Sequence, residues 1–395
     1  MTASANTASG TARRGRWQTA AEVLGLLGRH PGITRAAVAR ELHLSTSTAT
    51  EVTARLRELE LITEAPAPSH GRGRPTTLLQ AHPRGPVVLA LDLRQGGWRS
   101  AVVGLDGSLD AMQSKRHRSR RPESVLSTLR EAVLTTQHQY ADRLLAVALA
   151  IAGTVRDNHL MQASTLNWRD VDLNTPTADT GVPLLVGNDA TLSGVAEART
   201  GAAAGAGTAL HLIVEVGIGG TLIQDGIPAS GATGAGGEYG HMPFGDRRLV
   251  CPCGAHGCWD LETDGRALAR HLREPEPDDP YGYAISVLSR AAGKTTAKAI
   301  AKVTTALAAG IAGLVNAHDP EVVTLGGLAI PLRAAAPEAF EEAYADGLMA
   351  FHRDAPPPVL DSAHQDDGAL RGAAALGLDH LTTEPALAAW SEIHA

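Results

Sequence analysis

The sequence predicts an N-terminal winged helix-turn-helix joined to a larger body of two α/β lobes. Three observations predict it: two short amphipathic helices around a tight turn near the N-terminus, two successive strand–hairpin sets further on, and a charge imbalance between these parts. Residues 1–85 carry 11 Arg and 6 Glu without Lys or Asp, a net +5; the other 24 basic and 36 acidic residues give −12. A small basic segment on a large acidic body points to a polyanion at one end only.

Residues 1–15 are Ala, Ser, Thr and Gly with a few Arg, and are expected to form a disordered tail. From Trp17 to Gly28, Ala20, Val23, Leu24 and Leu27 recur at helical spacing, and Pro31-Gly32 breaks the run. Thr34 is placed to cap a helix to about Leu42, His43-Leu44 turn the chain, and Ser45 caps a second helix. Ala49, Val52, Leu56 and Leu59 share one face of that second helix, whereas short polar side chains lie opposite near its start. Ser45, Thr46, Ser47, Thr50 and Glu51 are therefore the candidate DNA contacts of a recognition helix. After Leu61-Ile62, a Pro-rich stretch, Gly71-Arg72-Gly73-Arg74-Pro75 and a strand-like Thr76 to Leu79 read as a wing. Arg72 and Arg74 at its tip suit a narrow, electronegative minor groove. The DNA-binding domain is placed at 16–81 and a linker at 82–86.

Beyond the linker the texture is α/β. Val87 to Leu93 and Arg99 to Leu105 read as strands, followed by a turn at Gly104 to Gly107, a helix from Val125 to Gln139 and a strand from Leu144 to Ile151. The second set has strands at Leu184 to Val186, Leu210 to Val216 and Thr221 to Gln224. A long Ala-rich helix, Thr296 to Val315, precedes a strand at Val322 to Leu325. One lobe is expected to comprise 87–190 with about 370–395, the other 191–369. The longest apolar stretch, Leu144 to Ala152, falls short of the roughly 20 residues of a bilayer span. Arg13, Arg14 and Arg16 are followed by no apolar signal core, so the expectation is a cytoplasmic protein with no membrane partner.

All three cysteines fall within Cys251-Pro-Cys253-Gly-Ala-His-Gly-Cys258, a spacing that favours metal over disulfides. Zinc takes four ligands in a tetrahedron, so a histidine must join them. His256 sits on a tight loop between two of the cysteines, where its ring is hard to bring to the same ion. His241, ten residues before Cys251, is the favoured fourth ligand. Asn188-Asp189 stand at a strand end before a helix, where α/β lobes bind ligands, and offer an amide and a carboxylate to hydroxyls such as a sugar's. Taken alone, the pair also reads as a helix cap. Gly236 to His241 adds a carboxylate, Glu238, three residues from the metal ligand. Leu91 to Gly97 and Glu215 to Gly220 follow strands where phosphate-cradling loops can sit. Gly293-Lys294-Thr295 imitates the end of a Walker A loop, but Leu288 occupies the required earlier glycine.

Together these motifs resemble the ROK family of bacterial repressors and sugar kinases, in particular its NagC/XylR-type regulators. The resemblance runs from about residue 17 to Gly372-Ala373-Ala374. It is carried by Gly73 to Pro75, Thr165 to Trp168, Asn188 to Ala190, Glu238 to His241, the cysteine cluster and Leu325 to Gly327. It implies an actin/hexokinase-like (ribonuclease H-like) body with a sugar pocket formed by Asn188, Asp189, Glu238 and His241, flanked by Gly153, Ser164 and Thr165. It further implies that His241 meets a sugar hydroxyl with one ring nitrogen. The other would meet zinc, held also by Cys251, Cys253 and Cys258, so that the ion orients the pocket. The resemblance also counts Asp260 among the sugar-binding residues, where the family usually has Glu; it is one methylene shorter, which bears on its reach to the sugar's anomeric end and on which sugar fits.

In the kinase members the position of Asp189 is the general base. Their first phosphate loop reads Asp-x-Gly-Gly-Thr, but Arg94-Gln95 stand here in place of the glycines. Glu215-Val216 replace the Gly-Thr that opens the second loop, and Thr221 replaces a later glycine. The resemblance thus implies a non-enzymatic, sugar-responsive repressor of carbohydrate genes with no ATP, bound to operator DNA as a homodimer or homotetramer. The alternative is an active sugar kinase with an appended DNA-binding domain.

Overall fold

The computed structural model describes residues 4–30, 32–66, 77–163, 165–290 and 293–394, with side chains from Trp17 onward. Helices α1 (Ser4–Arg29), α2 (Arg35–Glu41) and α3 (Thr46–Glu58) precede an antiparallel hairpin, β1 (Ile62–Pro66) and β2 (Thr77–Ala81), in which Ile62 pairs with Ala81. Both predicted caps form: Thr34 Oγ1 accepts from Ala37 N at 3.1 Å, and Ser45 Oγ from Thr48 N at 3.1 Å. Helix α1 corrects the expected disordered tail. It contains no Pro, and a helix anchored by apolar residues from Trp17 propagates through Ala- and Arg-rich sequence at one hydrogen bond per residue. The predicted break at Pro31 and the wing tip with Arg72 and Arg74 lie outside the described residues.

The first lobe contains β3 (Val87–Arg94), β4 (Gly97–Val103), β5 (Leu109–Arg116), α4 (Pro122–Tyr140), β6 (Leu144–Ile151) and β10 (Leu184–Asn188). Between the last two lies a small antiparallel sheet, β7 (Thr154–Arg156), β8 (His159–Ala163) and β9 (Trp168–Asp172). The main sheet has order β10-β6-β3-β4-β5, its first three strands parallel. After α5 (Asp189–Thr200), the second lobe is built on β11 (Thr208–Val214), β12 (Ile218–Gln224) and β13 (Ile227–Pro228). It continues through α6 (Gly265–Leu272), α7 (Pro280–Ser289), α8 (Lys294–His318), β14 (Val322–Gly327), α9 (Ala329–Ala335), α10 (Pro337–Gly347), α11 (Ala350–Asp354) and β15 (Val359–Asp361). Its sheet order is β13-β12-β11-β14-β15. Helix α12 (Gly368–Leu381) returns to the first lobe and α13 (Glu384–Ile393) follows it.

Helix α8 is long and apolar enough to span a bilayer by length and composition, but 61% of that window is buried in the second lobe. Its Val303, Leu307, Ile311 and Leu314 pack there with Leu212 and Leu325 of the sheet. In the first lobe, α4 covers one face of the sheet with Val125, Leu129 and Val133 against Leu89, Leu91 and Leu149. The other face joins the N-terminal head. Trp17, Leu24, Leu56 and Leu61 share one core with Val88, Ala90, Ala148, Leu370 and Trp390. Trp390 Nε1, from α13, donates to Leu59 O, the C-cap residue of α3, at 2.7 Å. Arg143 donates to Gly85 O at 2.9 Å and Pro83 O at 2.8 Å, fixing the connection between head and lobe.

Candidate functional site

The parallel strands β3, β6 and β10 deliver Arg94, Ile151 and Asn188 to one end of the first sheet, the end where α/β sheets place ligands. Asn188 both ends β10 and caps α5. Its Oδ1 accepts from Thr191 N at 2.9 Å while Nδ2 donates to Gly153 O at 3.1 Å, so it caps the helix and also ties it to the Gly153 turn. Gly153 has φ +149°, and a Cβ there would stand 2.5 Å from Gln162 O. Asp189 is the first residue of α5 and accepts from Ala190 N at 2.8 Å. Burial, reinforced by the Glu215 carboxylate, pushes its carboxyl up to about 7. It lines a cleft of about 40 Å³ with Asp92, Arg94, Thr165, Glu215 and Asp366. Among the described residues, the Thr165 hydroxyl is buried there without a partner. Ser164 lies outside the described residues.

Across the cleft, Glu238 accepts from Thr154 Oγ1 at 2.9 Å, and its other oxygen is 3.8 Å from His241 Nε2. The opposite ring nitrogen, Nδ1, faces Cys251 Sγ at 3.8 Å and Asp260 Oδ2 at 3.5 Å. Cys253 Sγ and Cys258 Sγ are 3.7 Å apart. The four ligand atoms of His241, Cys251, Cys253 and Cys258 all lie within 4.8 Å of one another. Metal–sulfur bonds of about 2.3 Å in a tetrahedron set edges near 3.8 Å, so this group can hold a metal ion. Burial pushes the Cys258 thiol up to about 12. A cation bound among the sulfurs would supply the charge that holds them as thiolates.

Asp260 is turned inward. Its Oδ1 accepts from Ile218 N at 2.7 Å, and burial raises its pKa. A Cβ on Gly240 would overlap the same carboxylate, so glycine is required for the Glu238–His241 turn to lie against it.

Three groups escaped the sequence reading. Thr154 was hidden in a three-residue strand, and Glu197 in the buried middle of α5. Glu197 accepts from Ser362 Oγ at 2.6 Å and from three backbone N–H groups. Burial works against its charge, yet these donors hold it below the usual carboxylate range. The third is Arg99, which shares the Asp92 carboxylate with Arg94, the residue already read in the broken phosphate loop. Arg94 Nε donates to Asp92 Oδ2 at 2.7 Å and another of its nitrogens to Asp366 O; Arg99 donates to Asp92 Oδ2 at 3.0 Å and Asp367 Oδ1 at 2.8 Å. In the head, Ser45, Thr46, Ser47, Thr50 and Glu51 are exposed at the start of α3. The Thr50 hydroxyl is turned back onto Thr46 O at 2.8 Å.

An actin/hexokinase-like body with a carboxylate-lined cleft beside a Cys3His group, preceded by a winged helix-turn-helix head, defines a DNA-binding regulator built on a kinase-like body. The chain belongs to the ROK family, whose model matches residues 89–380; a MarR family model matches residues 18–73. It is 24% identical over 298 residues to the xylose repressor of Bacillus subtilis, covering 74% of this chain and 77% of that protein. It is 27% identical over 226 residues to a glucokinase of Streptomyces coelicolor, covering 52% and 71%. A solved ROK family transcriptional regulator, a homologue of the E. coli MLC protein, superposes with TM-score 0.76 at 22% identity, over 95% of this chain and 99% of that one. A ROK glucokinase from Streptomyces griseus, solved with glucose and AMPPNP, matches at TM-score 0.62 and 22% identity over 73% and 98%. The repressor relative thus supports a sugar-linked regulator, and the glucokinases leave a kinase open.

Proposed function

We propose that the chain is a sugar-responsive transcriptional regulator, a repressor of carbohydrate genes, that binds operator DNA as a homodimer or homotetramer. The observation that carries this reading is the contrast within one cleft. The corner formed by Gly153, Asn188, Glu238 and His241 is assembled, with the Thr165 hydroxyl left for a ligand. The neighbouring phosphate approach is occupied by Arg94, clasped between Asp92 and Asp366 O. Glu215 adds repulsion toward phosphates, on the order of 1–4 kcal/mol at close range. On this reading ATP has no place and the protein is not an enzyme.

Zinc fits the Cys3His donor set. Bound by His241 Nδ1 and the three sulfurs, it would fix the ring so that Nε2 points to the sugar beside Glu238. Asp260 acts as a positioning residue behind that ring. Ser164 and the wing arginines Arg72 and Arg74 belong to the same reading, as sugar and minor-groove contacts. Sugar changes operator affinity only through unequal affinity for the two arrangements of lobes and head.

The test is operator binding by the full chain against a panel of sugars and amino sugars. One sugar class is expected to shift operator affinity at least about fivefold, and Glu238→Gln to abolish the shift while leaving sugar-free affinity intact. The second reading, a kinase, is favoured by the Asp189 carboxyl at about 7, well tuned for a general base. Sugar-dependent ADP release that disappears in Asp189→Asn would establish it instead.

A further inference from the structure

Residues 115–121 read Lys-Arg-His-Arg-Ser-Arg-Arg: five formal positive charges, no acid, within a body of net −12. The segment joins β5 to α4 and is exposed except for half-buried His117 and Ser119. Lys115 pairs with Glu131 at 3.0 Å. Among the described residues, the guanidinium groups of Arg116, Arg118, Arg120 and Arg121 have no ion-pair or hydrogen-bond partner.

A merely solvated cationic loop has no need of a fixed backbone, but this one is pinned on both sides. His117 N donates to Gly96 O at 3.1 Å, and its Nε2 lies 2.9 Å from Arg94 O. Trp168 Nε1 donates to Arg120 O at 2.8 Å, tying the loop to the segment that carries Thr165. Between the pins is a cavity of about 370 Å³ lined by Arg116, His117, Arg118 and Arg120 with Gln95 and Gly96. Gln95 also lines the cleft of Asp189, so the two spaces adjoin.

Position selects the ligand. Gly97, which pairs with Arg116, begins β4, and that strand runs about 20 Å to the turn at Leu105, which lies against Gly28 of α1. The loop therefore sits at the opposite end of the sheet from the DNA-binding head, on the ligand-binding end.

We propose that the Arg116–Arg121 loop is an anion site at the cleft mouth that takes the phosphate of a phosphorylated small molecule. Unpaired guanidiniums on a fixed backbone offer forked donors that match phosphate oxygens. The cavity volume lies within the range of small-molecule sites. The anion site stands on its own; that the phosphate belongs to the effector rests on the sugar-sensing reading.

The experiment is thermal unfolding and calorimetric titration of the full chain with inorganic pyrophosphate, against KCl at matched ionic strength. Pyrophosphate is expected to stabilise the protein beyond KCl, and Arg116→Gln with Arg118→Gln to weaken that binding by about tenfold or more. Both positions are exposed, so the ligand-free Tm of the variant should match the parent's. Sugar phosphates and ATP, run as separate arms, distinguish the sources. Stronger binding of a sugar phosphate than of pyrophosphate assigns the site to the effector, and stronger binding of ATP assigns it to a nucleotide tail. Pyrophosphate acting no more than KCl overturns the site. So does a result in which the variant loses only affinity for random-sequence duplex DNA. If no sugar alters operator binding while pyrophosphate binds and the variant does not, the sensor reading fails and the anion site stands.

Discussion

The His241 ring faces two ways through its two distinct nitrogens. Nδ1 faces the sulfurs and Nε2 faces Glu238, so on the proposed reading one side chain serves both the metal group and the pocket. Cys253→Ser is therefore expected to lower bound metal, measured by atomic emission, and to abolish the sugar response of operator binding together with it. A full response from metal-free protein would separate the two. Asp189 gives a pH signature. Its folded value of about 7 lies above the ordinary 3.8, so the folded state holds the proton more tightly than the unfolded chain. Its contribution to stability is full below about pH 4 and is lost as pH rises to about 7. The Tm of Asp189→Asn, which carries no charge, should gain on that of the parent between pH 5 and pH 7.5.

These residues were legible because each motif combines rare residue types at fixed spacing: three cysteines in eight residues, and a paired amide and carboxylate at a strand end. Thr154, Glu197 and Arg99 were not. Their roles exist only through partners 84, 165 and 268 positions away.

Among the elements, those with a clean apolar period were readable. β6 runs Leu144–Ile151 as expected, and α4 and α8 exceed their predicted spans by only a few residues at each end; Pro122 opens α4, and positive-φ residues, Ala141 and Asp319, end the two helices. The β7–β9 sheet was invisible because its strands are short and largely polar. Helix α12 was hard to read for the opposite reason. It is buried on most sides and built of Ala and Gly, so no stripe marks it. Its glycines are set by close approach: a Cβ on Gly372 would overlap Leu192 O of α5, and one on Gly377 would overlap Val88. Gly372→Ala should therefore push α12 off α5 and cost about 1–3 kcal/mol in denaturant unfolding. Because α5 begins at Asn188-Asp189, the same change should also weaken the sugar response.

At the scale of the whole molecule, the head and the first lobe are one cooperative unit. Their apolar side chains form a single core, and α13 closes it with Trp390 beneath the end of α3. Calorimetry should show no separate transition for the head. Trp390→Phe keeps the ring but leaves Leu59 O without its donor, and is expected to cost about 1–3 kcal/mol. It should lower operator affinity more than it alters sugar affinity; equal losses in both would mean general destabilisation. This long-range closure was not readable in the sequence, where residues 384–393 show only a capped amphipathic segment with no sign of their partner.

The same indole also has a consequence in time. The helices of the head are made well before their cover, because 331 positions separate Leu59 from Trp390. At roughly 5–20 residues per second that is an interval of about 17–66 s. During it the apolar underside of the newborn head lacks the cover that α13 gives it, and α3 is seated on Trp390 only once that residue has been made. On the regulator reading, products that end before residue 384 lack this closure and are expected to bind operator more weakly than the intact chain.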